Sequence, residues 1–152
     1  TLLGVGFAWR GAAGGPVLAF YTEDKQQIEA LLRLAYSNKV VLTMHNAKYD
    51  LTLLQEEIPS LPWDEILAVP GHDTMLMAYA LGMHEQPPGG IGSLGLKQLA
   101  LSELGYSWPG IPELGMPQDM TLEERKQYCM RDAAATLPLS ERLLSRLDTR
   151  EG

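Results

Sequence analysis

Tyr128 and Asp132 lie four apart in the segment TLEERKQYCMRDAAATLPLSERLLSRL, and Asp50 closes the segment HNAKYD at 45–50. Residues four apart share one face of an α-helix, so the phenol and the carboxylate point into one cleft. Asp50 follows a short apolar run and reaches that cleft from a different element. Two carboxylates converging beside a phenol suit the holding of a divalent metal and the orienting of a water. A two-metal site normally draws on more carboxylates than these. Each residue also has a plainer role open to it. Asp50 favours the N-terminal dipole of a helix, Tyr128 packs its ring in a core, and Asp132 is solvated or paired with a nearby arginine. Yet Asp is a poor helix-interior residue, and the AAAT that follows Asp132 sets it against a small apolar patch. An acid so placed needs a partner, and metal is one.

The other reactive side chains offer less. Asp73 fits the N-cap of a helix. His45, His72 and His84 have no mutual metal-ligand spacing and read as surface or loop histidines. The single Cys129 excludes an internal disulfide and a cysteine zinc cluster. It reads as a small core residue and suits a reducing compartment. No Gly-rich phosphate loop and no nucleophile elbow is present, which disfavours a serine hydrolase.

The elements that must position these residues alternate in type. LLGVGFAW (2–9) and PVLAFY (16–21), separated by RGAAGG, predict a β-hairpin. DKQQIEALLRLAY (24–36) carries apolar residues at 28, 31, 32 and 35 and predicts an amphipathic helix closed by Asn38. KVVLTM (39–44) reads as a buried strand, and AKYDLTLLQEE (47–57) as a helix capped by Asn46. After the breaker-rich PSLPW, EILAVP (65–70) reads as another strand, and Asp73 opens a helix through TMLMAYAL. A Gly/Pro loop at 85–93 is expected to be mobile. A short helix at 94–104 and an irregular stretch at 108–120 follow. Thr121 and Glu124 form a capping box for the last helix, which Pro138 is expected to bend. Strands that lead and then alternate with helices favour an α/β fold, a mixed sheet covered by helices.

The 152 residues fit one domain able to bury a core, with 45% hydrophobic and 20% charged residues. No run approaches the roughly 18 apolar residues of a membrane span, and no basic-then-apolar leader is seen. A soluble, cytoplasmic protein with no membrane partner is expected. The net charge of −7 argues against a free-standing nucleic-acid binder. A nucleic-acid substrate then requires local neutralisation by metal or grip from a partner domain. The start at Thr1, inside an apolar run and without methionine, reads as the boundary of a piece of a larger protein.

Taken in order, HNAKYDLTLL, HDTMLMAYAL, LGLKQLALSELGY and YCMRDAAATLPL resemble the DEDD 3′–5′ exonuclease superfamily. The likeness is closest to the proofreading domain of family A DNA polymerases and covers nearly the whole chain. LLGVGFAW and PVLAFY match that family's opening hairpin. The resemblance implies a ribonuclease H-like fold, a mixed sheet flanked by helices, here lacking its first strand. It places the second motif on Asn46, Tyr49 and Asp50, and the third on Tyr128 and Asp132, which is the tyrosine subclass. Asp50 and Asp132 are then metal ligands, Tyr128 positions the attacking water, Asn46 and Tyr49 lie beside the bound strand, and Asp73 supports.

The implied activity is two-metal hydrolysis, with Mg²⁺ or Mn²⁺, of the last nucleotide at a single-stranded 3′ end of DNA. The implied setting is proofreading in DNA replication or repair, with a polymerase domain in the same parent chain. The family's first motif, Asp-x-Glu, occurs nowhere in the 152 residues; the resemblance implies either that it lies upstream or that the natural protein has lost its first strand. This chain alone is then expected to bind metal weakly and to hydrolyse DNA poorly or not at all. Two alternatives are a catalytically silent nucleic-acid-binding or scaffolding module and a ribonuclease D-like enzyme that trims RNA 3′ ends.

Overall fold

The alternating apolar residues near the start of the chain pair as a hairpin. In the computed structural model, which describes residues 2–68, 71–85 and 94–151, β1 (Val5–Arg10) runs antiparallel to β2 (Val17–Thr22). Val5 faces Thr22 and Arg10 faces Val17. The first helix, α1 (Lys25–Ser37), starts where Asp24 accepts the amides of Gln26 and Gln27, and ends at Asn38, whose side chain donates to the Leu34 carbonyl at 2.8 Å. A second, parallel pair joins β3 (Thr43–Met44) to β4 (His72–Asp73), with Met44 opposite Asp73. Between them run α2 (Ala47–Glu57) and α3 (Trp63–Ala68). Then come α4 (Thr74–Ala80), a 3₁₀ turn at Met83–Glu85, α5 (Leu96–Leu104), α6 (Ile111–Leu114), a 3₁₀ turn at Pro117–Asp119 and α7 (Leu122–Glu151). The class is α/β, as expected. Among the described residues its sheet is divided into one antiparallel and one parallel pair.

Three local expectations are corrected. Within EILAVP, Glu65–Ala68 are helical and not a strand. Residues 63–68 are helical, because the Pro62 carbonyl accepts the amides of Glu65 and Ile66, and Asp64 and Glu65 occupy the first turn, where acids complement the helix dipole. Val69 and Pro70 lie outside the described residues. KVVLTM is a strand only at Thr43–Met44; Lys39 has a positive φ of 54°, and Val40 and Val41 are exposed. The irregular stretch at 108–120 contains α6 and the turn at 117–119. The loop expected to be mobile lies, at 86–93, outside the described residues, whereas Glu85 ends a 3₁₀ turn.

Two hydrophobic clusters hold these elements. Ile28, Leu32, Leu54, Ile58 and Leu61 pack with Val5, Phe7 and Leu42, joining α1 and α2 to the first strand. Met77, Ala78, Met83, Leu99, Leu139 and Leu143 join α4 and α5 to α7. Leu139 and Leu143 are fully buried, and each such side chain contributes roughly 2 kcal/mol through burial. α7 is about 45 Å long at 1.5 Å per residue. Its N-terminus is a reciprocal capping box, Thr121 N–H to Glu124 and Glu124 N–H to the Thr121 hydroxyl, at 2.9 and 3.1 Å. It remains helical through Pro138. β1 lies directly on this helix, since a Cβ at Gly6 would fall 2.4 Å from the Cys129 carbonyl oxygen.

Candidate active site

The stripe of α7 that faces the core runs Tyr128, Asp132, Ala135, Leu139, Leu143, a three–four spacing on one helix face. Its C-terminal half is buried, while Tyr128 and Asp132 are half-buried at the polar end. Cys129, next to Tyr128, turns toward β1 and is half-buried. Burial, with the charges of Asp132 and Glu23, pushes its thiol up to about 11. It is not a poised nucleophile.

Asp50 arrives from the first turn of α2. That turn is held in an unusual way. Asn46 sits in the left-handed region at φ 64°, ψ 60°, which asparagine tolerates better than most residues. Asn46 occupies the N-cap position of α2 as expected, but its side chain makes no capping bond. The capping acceptor is Asp73, brought alongside by the parallel β3–β4 pairing. Asp73 Oδ1 accepts the Asn46 amide at 3.0 Å and Oδ2 accepts the Ala47 amide at 2.8 Å. The same carboxylate accepts the Met75 and Leu76 amides at 2.9 and 3.4 Å and so caps α4 as well. One acid therefore fixes the N-termini of two helices.

Three acids thus share one region from three elements. The Asp50 side chain is solvent-exposed by area, yet protein surrounds it closely enough to matter. Its carboxyl is pushed up to about 6, first by desolvation and then by the negative charges of Asp73 and Asp132. The Tyr128 phenol is pushed up to about 12 by burial, the charges of Asp132 and Cys129 and a hydrogen bond with Asp132. It stays protonated at neutral pH and acts as a hydrogen-bond donor. Tyr49, one residue before Asp50, exposes 63% of its surface.

Sequence reasoning missed several neighbours. Lys97 on α5 places its ammonium 3.2 Å from Asp132 Oδ1, and the indole N–H of Trp108 donates to the same oxygen at 2.8 Å. Lysine 35 positions away and tryptophan 24 positions away leave no periodic signature. The one available hint was a tryptophan inside the irregular stretch after α5. His45, taken as an ordinary loop histidine, is half-buried and shares a 2.8 Å hydrogen bond with the Thr74 hydroxyl, which itself donates to the Met44 carbonyl at 3.4 Å. Burial lowers its pKa and keeps the ring neutral.

Asp50 and one oxygen of Asp132 can offer ligands to a hard cation. The Asp73 oxygens are taken by four backbone amides, and Asp132 Oδ1 by Lys97 and Trp108. Among the described residues no group of three or more His, Cys, Asp or Glu could hold a metal ion. The residues present do not by themselves fit a two-ion centre. An apolar cavity of about 380 Å³, lined by Leu32, Leu42, Leu54, Trp63 and Leu76, touches Ala47 and Asp73 but none of Asp50, Tyr128 or Asp132.

Fold and site define an α/β domain that gathers carboxylates and a phenol around the ends of two helices beside a parallel strand pair. The family model for the 3′–5′ exonuclease domain of the DNA polymerase A type matches residues 12–148, and the chain belongs to that family. No curated protein and no solved structure matches it. Among the described residues no helix is long and apolar enough to cross a membrane.

Proposed function

We propose that this chain is a single exonuclease domain of a larger protein that removes the 3′-terminal nucleotide of DNA, in a proofreading role during replication or repair. The observation that carries the proposal is the family match over residues 12–148, with Asp50, Asp73 and Asp132 brought from separate elements to within electrostatic reach of one another. Acids that repel one another in this way are arranged for a cation or for proton work. In this proposal Asp50 and Asp132 are the metal-associated carboxylates. Tyr128, a protonated phenol, orients the attacking water. Asn46 and exposed Tyr49 lie along the bound strand, where a ring can stack on any base. Asp73 is a positioning residue.

In the completed site Asp50 and Asp132 would help to hold Mg²⁺ or Mn²⁺, which would supply an activated water and electrostatic stabilisation of developing negative charge. Completion requires further carboxylates, and with no Asp-x-Glu in the 152 residues we place that motif upstream in the parent protein. A polymerase domain in the same parent chain supplies the grip on DNA that a net charge of −7 does not. The Lys97–Asp132 ion pair favours a second reading, a silent nucleic-acid-binding module that keeps the fold.

The test is digestion of 5′-labelled single-stranded DNA and of RNA of the same sequence by the parent protein, with Mg²⁺ or Mn²⁺. Stepwise shortening of DNA from its 3′ end, lost in Asp132→Ala, supports the proposal. Preferred shortening of RNA indicates a ribonuclease D-like enzyme. Binding without shortening of either strand indicates the silent module.

A further inference from the structure

The apolar cavity beside the start of α2 draws its wall from α1, β3, α2, α3, β4 and α4. Its volume of about 380 Å³ lies within the roughly 300–1,000 Å³ of small-molecule sites. Leu32 and Leu54 in that wall are buried. Val40, Leu67 and Leu76 line it too, yet remain 51, 47 and 62% exposed, so the apolar surface continues outward into solvent. Apolar surface that is concave and open in this way marks a binding site. Most polar groups along the wall are already engaged. The Trp63 indole N–H donates to the Ile58 carbonyl at 2.8 Å, the Tyr36 hydroxyl donates to Glu65, and the Asp73 oxygens accept four backbone amides. Lys39 and Lys48 are different. Both line the cavity and are exposed. Among the described residues neither ammonium has a carboxylate partner of the kind that Lys25 finds in Glu57 and Lys97 in Asp132. Two uncompensated cations thus share one apolar cavity in a chain of net charge −7.

We propose that this cavity binds a small amphipathic anion, a straight-chain carboxylate whose apolar chain lies along the leucines and whose head is met by Lys39 and Lys48. Lysine suits the task, because its stem packs on apolar surface while its ammonium stays in water. Each methylene buried in the cavity strengthens binding about fourfold, so the chain supplies the affinity. The exposed ammoniums add up to about fivefold each and select the sign of the head group. None of Asp50, Tyr128 or Asp132 lines the cavity, so the site is distinct from the hydrolytic one.

The experiment is a titration of the 152-residue chain with decanoate, kept below its micelle concentration and followed through the tryptophan indole N–H signals in ¹⁵N NMR. Trp9→Phe and Trp108→Phe assign the Trp63 signal by elimination. The expected result is saturable movement of the Trp63 signal, while Trp9 and Trp108, which do not line the cavity, stay in place. Octanoate, two methylenes shorter, is expected to require about tenfold more ligand, and acetate to cause no movement. Decyltrimethylammonium, with the same chain and the opposite charge, is expected to bind at least about fivefold more weakly than decanoate. The double substitution Lys39→Gln, Lys48→Gln should erase that difference. No saturable movement at Trp63, or equal movement of all three indoles, overturns the site. Equal binding of the two head groups by the wild type, or a preference that persists in the double variant, overturns the role of the lysines and with it the anionic ligand.

Discussion

The Asp73 carboxylate accepts the backbone amide of Ala47, the first residue of the helix that carries Asp50, at 2.8 Å. The acid that caps its own helix thereby also sets the start of a second helix 26 residues earlier in the chain. The placement of Asp50 follows from the pairing of Met44 with Asp73 in the parallel strands.

Replacing Asp73 by alanine leaves four backbone amides without their acceptor at the starts of α2 and α4. Loss of a cap costs about 1 kcal/mol, with a range of roughly 0.5–2, so Asp73→Ala is expected to destabilise by about 2 kcal/mol in urea unfolding. Asp73→Asn keeps one acceptor oxygen and turns an amino group toward an amide donor, and should fall between. A stability of Asp73→Ala equal to wild type would contradict the double cap.

Asp50 makes stability depend on pH in a defined direction. Its carboxyl titrates near 6 in the folded chain, against an ordinary 3.8. Between those values the folded state binds more protons than the unfolded state, so stability falls as pH rises from about 4 to 6. His45, whose pKa is lowered, pulls the other way across its own range, so the comparison of variants isolates Asp50. In EDTA, Asp50→Asn is expected to lose stability less steeply than wild type, or to gain it, over this window. Identical slopes in the two proteins would sink the assignment.

Cys129 should be slow toward thiol reagents. With its thiol at about 11, fewer than about one molecule in a thousand carries the reactive thiolate at pH 7.5. Modification by a disulfide reagent is expected to run at least about tenfold slower than for free cysteine and to speed up only in strong base or on unfolding. Reaction as fast as that of free cysteine would show that β1 does not cover α7 as described.

Gly6 tests that contact from the other side. Its absent Cβ is what lets β1 approach the Cys129 carbonyl, where an added carbon would meet backbone at 2.4 and 2.8 Å. Overpacking against backbone costs about 1–3 kcal/mol, so Gly6→Ala should lower the urea midpoint by a corresponding amount. An unchanged midpoint would mean that the strand and helix sit further apart.

What could be read from residues alone was local. The four-residue step from Tyr128 to Asp132, the Thr121–Glu124 capping box and the Asp24 and Asn38 ends of α1 all follow from helix geometry within one segment. Residues 65–70 misled because a short apolar run suits strand and helix alike; Pro62 followed by Asp64 and Glu65 was the decisive signal. The partners of the site were hidden for a different reason. Asp73 reaches Asn46, and Lys97 and Trp108 reach Asp132, only after strands pair and helices dock. Such contacts across 24 to 35 residues leave no spacing rule in the chain.

The central claim is that Asp50 and Asp132, presented by two helices, serve one hydrolysis at a DNA 3′ end. The most direct measurement is mass-spectrometric identification of the product released from single-stranded DNA by the parent protein, alongside Asp50→Ala and Asp132→Ala. The account predicts 5′-mononucleotides released from the 3′ terminus, at rates reduced at least about a hundredfold by either substitution, since loss of an essential reaction-centre group costs several powers of ten. Undiminished release in either variant, or products taken from the 5′ end, would contradict it.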